Sequence, residues 1–366
     1  LEQIDWRGMP PDEQRRQLEA RLRAQRQDGF PFRRAADLRL CLDQVEARRW
    51  WLAWSFHHVA MDGWSVGMVL SDVLQSYLAL RRGQPLPATA PRPFSAYLQW
   101  LGQRDKAAST SYWQQALADV EVPTPLPASA PEVGRSGYAE QKLSLSPTLS
   151  ETARTLARQA GVTVNTLVQG LWAWTLARHG GGDDVVFGTT VSGRSGDFPG
   201  IESMVGLFIN TVPLRVRLPS DLPVRQWGRA IQQQAVENQQ HEHMPLPDIQ
   251  RLARPSEGGA LFDSIVVFEN YPVDAALKQR QGEIDIRLLG AAVKEAGAEF
   301  VISGRNNYPL SLIAAMDERL QLTLAYQRDR FADREFEIGI TFEAELLAEL
   351  HDARLTDVEC IGKLLR

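Results

Sequence analysis

Trp50-Trp51-Leu52-Ala53-Trp54-Ser55-Phe56 runs directly into His57-His58-Val59-Ala60-Met61-Asp62-Gly63. The first seven residues are strand formers. After Gly63, apolar residues fall at Val66, Val69, Leu70, Val73, Leu74, Tyr77 and Leu78, the spacing of one helix face. Two imidazoles, a carboxylate and a glycine therefore sit on a strand-to-helix turn, a place where α/β proteins present polar groups to ligands. Leu52, Trp54 and Phe56 share one strand face, and His58 is in phase with them if the strand extends that far. Asp62 stands where a helix N-cap is expected, with free amides just after it.

Three readings of the turn are open at this point. A His pair at a strand end is ordinarily a satisfied surface or core pair. His, His and Asp can also ligate a metal. The chain has six histidines, and those at 179, 241, 243 and 351 show no spacing that completes a zinc site. The third reading takes His-His-x-x-x-Asp-Gly as one catalytic pattern.

Outward from the turn, Leu38, Leu40 and Leu42 alternate as in a half-buried strand, which with 50–57 suggests a hairpin delivering the histidines. Residues 10–28 read as a helix opened by Pro10 and Pro11, with Asp12 and Glu13 at its positive end and Leu18 and Leu22 on one face. The helix over 64–82 stops at Gly83, ahead of Pro85 and Pro87. Short helices carry Phe94, Tyr97, Leu98 and Leu101, then Tyr112, Trp113 and Leu117. Residues 122–137, rich in Pro, Ser and Gly, form the best linker candidate. It divides the chain into 1–121, 122–137 and 138–366. Beyond it, helices are expected at 147–160 and 164–178, the second with Val164, Leu167, Val168, Leu171 and Trp172 on one face. Strands are expected at 184–191, 207–216, 262–269, 284–289, 308–316 and 319–327, and a long helix through Trp227, Ile231 and Ala235.

The 366 residues are enough for two domains of ~150 residues each. Hydrophobic residues make up 44% and charged residues 23%, an ordinary globular balance. A formal net charge of −5 with no basic stripe argues against nucleic acid as a partner. Two cysteines, Cys41 and Cys360, give no disulfide framework, so a reducing cytoplasm is the expected location. Cys41 lies in an apolar strand pattern and reads as core. No run of ~18 apolar residues suggests a membrane span, and the first residues lack the basic and apolar regions of a signal peptide.

The turn resembles the core motif of the condensation domains of nonribosomal peptide synthetases, in the chloramphenicol acetyltransferase-like superfamily. Other stretches resemble the same family in the same order. They are Gly188-Thr189-Thr190-Val191-Ser192-Gly193-Arg194, Val205-Gly206-Leu207-Phe208-Ile209-Asn210-Thr211, Leu261 through Phe268-Glu269-Asn270-Tyr271-Pro272, Asn307-Tyr308-Pro309-Leu310, and Tyr326 to Phe331. Phe94 to Trp100 is a weaker match. Two departures stand out. The family's strand-helix-strand unit ahead of residue 1 is absent, so the chain looks shortened at its N-terminus. The stretch from Arg334 does not look like the family's closing helix.

The resemblance implies an α/β fold of two chloramphenicol acetyltransferase-like lobes in a V, with the active site in a tunnel between them. It implies peptide-bond formation between a donor acyl or peptidyl thioester and an acceptor aminoacyl thioester, each on a 4'-phosphopantetheine arm of a peptidyl carrier protein. His58 is then the catalytic imidazole, with His57, Asp62 and Gly63 completing the motif and Arg194 the charge partner of Asp62. Trp64, Asn210, Asn270 and Tyr308 are tunnel candidates. An adjacent adenylation domain is expected, and neither a metal, a cofactor held by this chain, nucleic acid nor a membrane. The Asp-Gly-Trp-Ser form of the motif leans toward an L-donor. Epimerisation domains share the motif, but their Glu-Gly-His-Gly-Arg-type motif is not found here. A non-catalytic carrier-binding relic and a stand-alone acyltransferase are the remaining alternatives.

Overall fold

The computed structural model describes residues 1–30, 38–87, 91–120, 124, 126, 137–180, 182–195, 198–218, 222–253, 260–269 and 307–331. Their contacts fall into two compact units. The first holds the described residues of Leu1–Phe94 together with Ser203–Phe208. The second holds those of Ser95–Glu202 and those from Ile209 onward. The helices expected near 97 and 112 group with the second unit, whereas the sequence placed them in the first lobe. The linker stretch 122–137 lies largely outside the described residues, as do Asn270 and the strand expected at 284–289.

In the first unit, β1 (Glu2–Asp5), β2 (Leu38–Glu46) and β3 (Arg49–Phe56) form a sheet in the order β1-β2-β3. β1 pairs parallel to β2, and β2 pairs antiparallel to β3 with Leu40 opposite Trp54. The hairpin is as expected, but its faces are not. Leu38 and Leu40 are exposed, while Cys41, Asp43 and Val45 are buried. The reason is α1 (Pro11–Asp28), which packs on the polar-looking face. Its Arg21 forks onto the Asp43 carboxylate, with Nη1 at 2.9 Å from Oδ1. Gln14 donates to the carbonyls of Trp6 and Val45 at 3.1 Å each. A charge paired by both oxygens tolerates burial, and alternation of leucines does not reveal it. Burial pushes the Cys41 thiol up to about 11, with the neighbouring Asp43 adding to the rise. That keeps it a protonated core residue. α2 (Gly63–Arg81) closes the unit and buries Leu74 and Leu78, whereas Val73 and Tyr77 of the expected stripe are half exposed.

In the second unit, six strands order as β4-β9-β8-β7-β5-β6. They are β4 (Tyr138–Ser144), β5 (Asp184–Val191), β6 (Asn210–Arg217), β7 (Ser264–Glu269), β8 (Leu310–Met316) and β9 (Leu320–Gln327). β5 with β7 and β7 with β8 are parallel; the other pairs are antiparallel. The helices are α3 (Phe94–Gly102), whose first residue belongs to the other unit, α4 (Ala107–Ala116), α5 (Pro147–Ala160), α6 (Val164–Gly180), α7 (Val224–Gln240) and α8 (Leu246–Ala253). α5 shows why the sequence cues worked. Ser146 caps it by accepting from Leu149 N at 3.2 Å, Pro147 opens it, and Gly161 ends it at φ 72°. α6 buries Val168, Trp172 and Leu176 in one core with Phe187, Leu214 and Trp227. Leu171, expected on that face, is 40% exposed, because Gly170 turns in its place to meet the Trp227 ring.

Candidate active site

β3 ends at Phe56 and the chain turns at once. The His57 carbonyl accepts from Ala60 N at 2.9 Å, and the His57 ring nitrogen Nδ1 accepts from Val59 N at 3.1 Å. Phe30 stands edge-on to that ring at 6.3 Å. His57 is therefore bonded into the turn through both backbone and ring. His58 is exposed and takes no part in these turn bonds.

Asp62 is fully buried and caps α2 from an extended backbone. Its Oδ1 accepts from Ser65 N at 2.8 Å, and its Oδ2 accepts from Phe208 N at 3.0 Å. Asp62 N donates to Gly206 O at 3.1 Å. Ser65 Oγ donates to the same carbonyl at 2.8 Å and accepts from Gly206 N at 3.0 Å. The carboxylate thus satisfies two buried amides and ties the helix start to residues 206–208. This also explains why β6 begins at Asn210 and not at 207. The amide of Phe208 is taken by Asp62 before the strand ladder can use it. Gly63 opens α2, so its amide lies at the positive end of the helix, followed by the half-buried Trp64.

Gly206 has no room for a side chain. A Cβ there would stand 2.3 Å from Phe94 Cδ2, and Phe94 is itself packed edge-on to Phe208 at 5.0 Å. Gly206→Ala is expected to cost about 1–3 kcal/mol, the usual range for overpacking. Urea unfolding checks this: a midpoint at the wild-type value would show that Phe94 moves aside freely.

The remaining candidates lie in the second unit. The Arg194 guanidinium donates through Nη1 to Ile201 O at 2.7 Å. Asn210 gives both amide hydrogens to backbone carbonyls, Glu242 O at 2.8 Å and Met244 O at 2.7 Å. Its carbonyl accepts from Thr211 N at 2.9 Å. Its amide is thus engaged in holding a turn, a use that the sequence did not signal. Tyr308 is half buried and stacks on Phe262 at 5.7 Å; burial raises its phenol. Two contributors, Ser195 and Glu242, carried no signal in the sequence, and Ser65 stood there only as the last residue of the Asp-Gly-Trp-Ser form. Ser195 donates to the buried Glu242 carboxylate from both its hydroxyl and its amide, the latter at 3.3 Å. Among the described residues, no three His, Cys, Asp or Glu side chains converge as metal ligands. No described helix is long and apolar enough to cross a membrane.

Residues 1–352 match the family model "Condensation domain". The chain belongs to that family. A linear gramicidin synthase polypeptide of Brevibacillus parabrevis is 38% identical over 370 residues, covering 99% of this chain and 5% of that protein. Bacitracin synthase 3 of Bacillus licheniformis is 33% identical over 350 residues, covering 94% of this chain and 5% of that protein. This condensation domain thus spans a small fraction of the length of the relatives it matches. The first condensation domain of the calcium-dependent antibiotic synthetase superposes with a TM-score of 0.68 at 19% identity, covering 97% of this chain and 79% of that one. The X-domain from teicoplanin biosynthesis does so with 0.67 at 22% identity, covering 95% and 76%. Two differently named domains align equally well, so the superposition speaks for the fold alone. That fold is α/β with two mixed sheets, as the sequence led one to expect.

Proposed function

We propose that this condensation domain joins a donor acyl or peptidyl thioester to an acceptor aminoacyl thioester, each carried on a peptidyl carrier protein. The observation that carries the reading is the division of labour in the motif. His57 and Asp62 are bonded into the fold, and His58 is left exposed between them. In the proposed reaction the acceptor amine attacks the donor carbonyl carbon. The C–N bond forms, the C–S bond breaks, and the proton lost from nitrogen passes through the His58 imidazole to the departing thiolate. The Gly63 amide is the proposed donor to the tetrahedral oxyanion. Holding both thioesters at one place supplies ~7–11 kcal/mol of the barrier through proximity. In this reading Asp62 pairs with Arg194, the two carriers deliver their phosphopantetheine arms to a tunnel between the lobes, and the donor ends in an L-residue. A neighbouring adenylation domain loads the acceptor carrier.

Reconstitution tests this. Two carriers loaded with different aminoacyl thioesters are mixed with the chain, and products are read by mass spectrometry and chiral analysis. A dipeptidyl thioester on the acceptor carrier is the expected result. Inversion of a single loaded carrier's residue would point to an epimerisation domain, and carrier binding without chemistry to a relic.

A further inference from the structure

The turn His241-Glu242-His243-Met244 joins α7 to α8 and meets three other parts of the second unit. Asn210, at the start of β6, holds its carbonyls as described above. Both imidazoles meet the buried Ser109 hydroxyl of α4, His241 Nδ1 at 3.0 Å and His243 Nε2 at 3.3 Å. Tyr112 stacks on His241 at 4.2 Å. This turn is fixed from both sides.

Glu242, in its middle, is 4% exposed. Its Oε1 accepts from the Ser195 hydroxyl and from Ser195 N at 3.3 Å, and the Gly193 amide also donates to the carboxylate. The donors therefore come from the residues on either side of Arg194. Gly193 takes φ 64°, a left-handed conformation suited to glycine, and Arg194 N donates to Ser192 Oγ at 3.3 Å. Burial raises the Glu242 carboxyl, and the Ser195 and Gly193 donors oppose that rise. Its Oε2 has no hydrogen-bond partner among the described residues. A buried carboxylate is a costly way to hold a turn unless the turn has to be held in one place.

We infer that Glu242 is a positioning residue: it fixes the Gly193–Ser195 turn so that Arg194 is presented at one height and angle. The inference rests on the reading above for what Arg194 does, but not for what Glu242 holds. Sequence could not reveal it, because a Glu within His-Glu-His at a helix end reads as a solvated surface residue.

Two measurements test it on the purified chain: hydrogen exchange across 188–202, and transfer between two loaded carriers. Glu242→Ala is expected to speed exchange at Gly193–Ser195 while β5 keeps its protection. It is also expected to lower kcat about 10- to 10²-fold, the scale on which ~1 Å of misplacement acts, with KM for the carriers unchanged. Glu242→Gln keeps the accepting oxygen and is expected to restore both readouts. In an Arg194→Ala background, Glu242→Ala is expected to add less than about twofold, because residues that act as a unit are not additive. Should Glu242→Ala not fold, Ser195→Ala removes the hydroxyl donor from the opposite side and carries the same comparison. Unchanged exchange at 193–195, or a full loss of rate on top of Arg194→Ala, overturns the inference. A wild-type chain that transfers nothing is a failure of the functional reading, and the exchange result then decides alone whether Glu242 holds the turn.

Discussion

Replacing His58 by Ala is expected to lower transfer between loaded carriers by about 10²–10⁴, the range for a side chain that moves a proton in the transition state. Its thermal midpoint is expected to stay close to wild type, because His58 is exposed and absent from the turn's hydrogen bonds. His57→Ala is expected to behave differently. It removes the ring acceptor of Val59 N, so about 1 kcal/mol of stability is lost along with some activity. His58→Asn separates two roles for the imidazole. A side chain that can hydrogen-bond the amine but not carry its proton recovers rate only if positioning is the main task. Dipeptidyl thioester is quantified by mass spectrometry and folding by thermal melting. Wild-type transfer in His58→Ala would remove the residue from the mechanism.

Asp62→Ala is expected to be the most destabilising change in the motif. It deletes the cap of α2, worth about 1 kcal/mol. It also leaves the buried Phe208 amide without its acceptor, a loss of about 1–3 kcal/mol. The two together give about 2–4 kcal/mol before any charge partner is counted. Asp62→Asn keeps a capping oxygen and is expected to lose about half as much, because Asn is as good a cap as Asp. If Arg194 pairs with this carboxylate, breaking the pair from one side raises the loss toward ~3–5 kcal/mol. A double-mutant cycle on Asp62 and Arg194 measures that term. Coupling of about 0.5–3 kcal/mol is expected for a direct pair, and strict additivity within about 0.3 kcal/mol would dismiss it. An Asp62→Ala chain that unfolds at the wild-type urea concentration would contradict the capping account altogether.

Much of the fold was legible because its local cues agree with one another. Ser146, Pro147 and Gly161 bracket α5 as caps should, and the alternation of 320–326 marks β9. The turn at 57–63 was legible for the same reason, since strand, polar cluster and helix start follow in seven residues. What failed was the choice of buried face. In β2 the leucines point outward, because Arg21 of the preceding helix α1 makes Asp43 the better buried residue. No periodicity encodes an ion pair with a partner 22 residues away. Bonds within the site were hidden in the same manner. The amide of Asn210, a tunnel candidate, answers two carbonyls more than 30 residues downstream. Glu242 carried no signal and the structural task of Ser65 none either, because each works through a backbone group that sequence proximity does not predict.

Residues 203–208 belong to the first unit, although the rest of its described residues end at Phe94. Ser65 and Gly206, which exchange hydrogen bonds, are 141 residues apart. A ribosome adding about 5–20 residues per second takes roughly 7–28 s to go from one to the other. Throughout that interval the nascent hairpin and α2 exist without Phe208 N to fill the Asp62 carboxylate and without Gly206 to answer Ser65. The His-His turn is therefore finished long after its own residues have been made, and not as a local structure. A fragment cut anywhere between the two residues carries the whole motif and lacks the strand of chain that sets it.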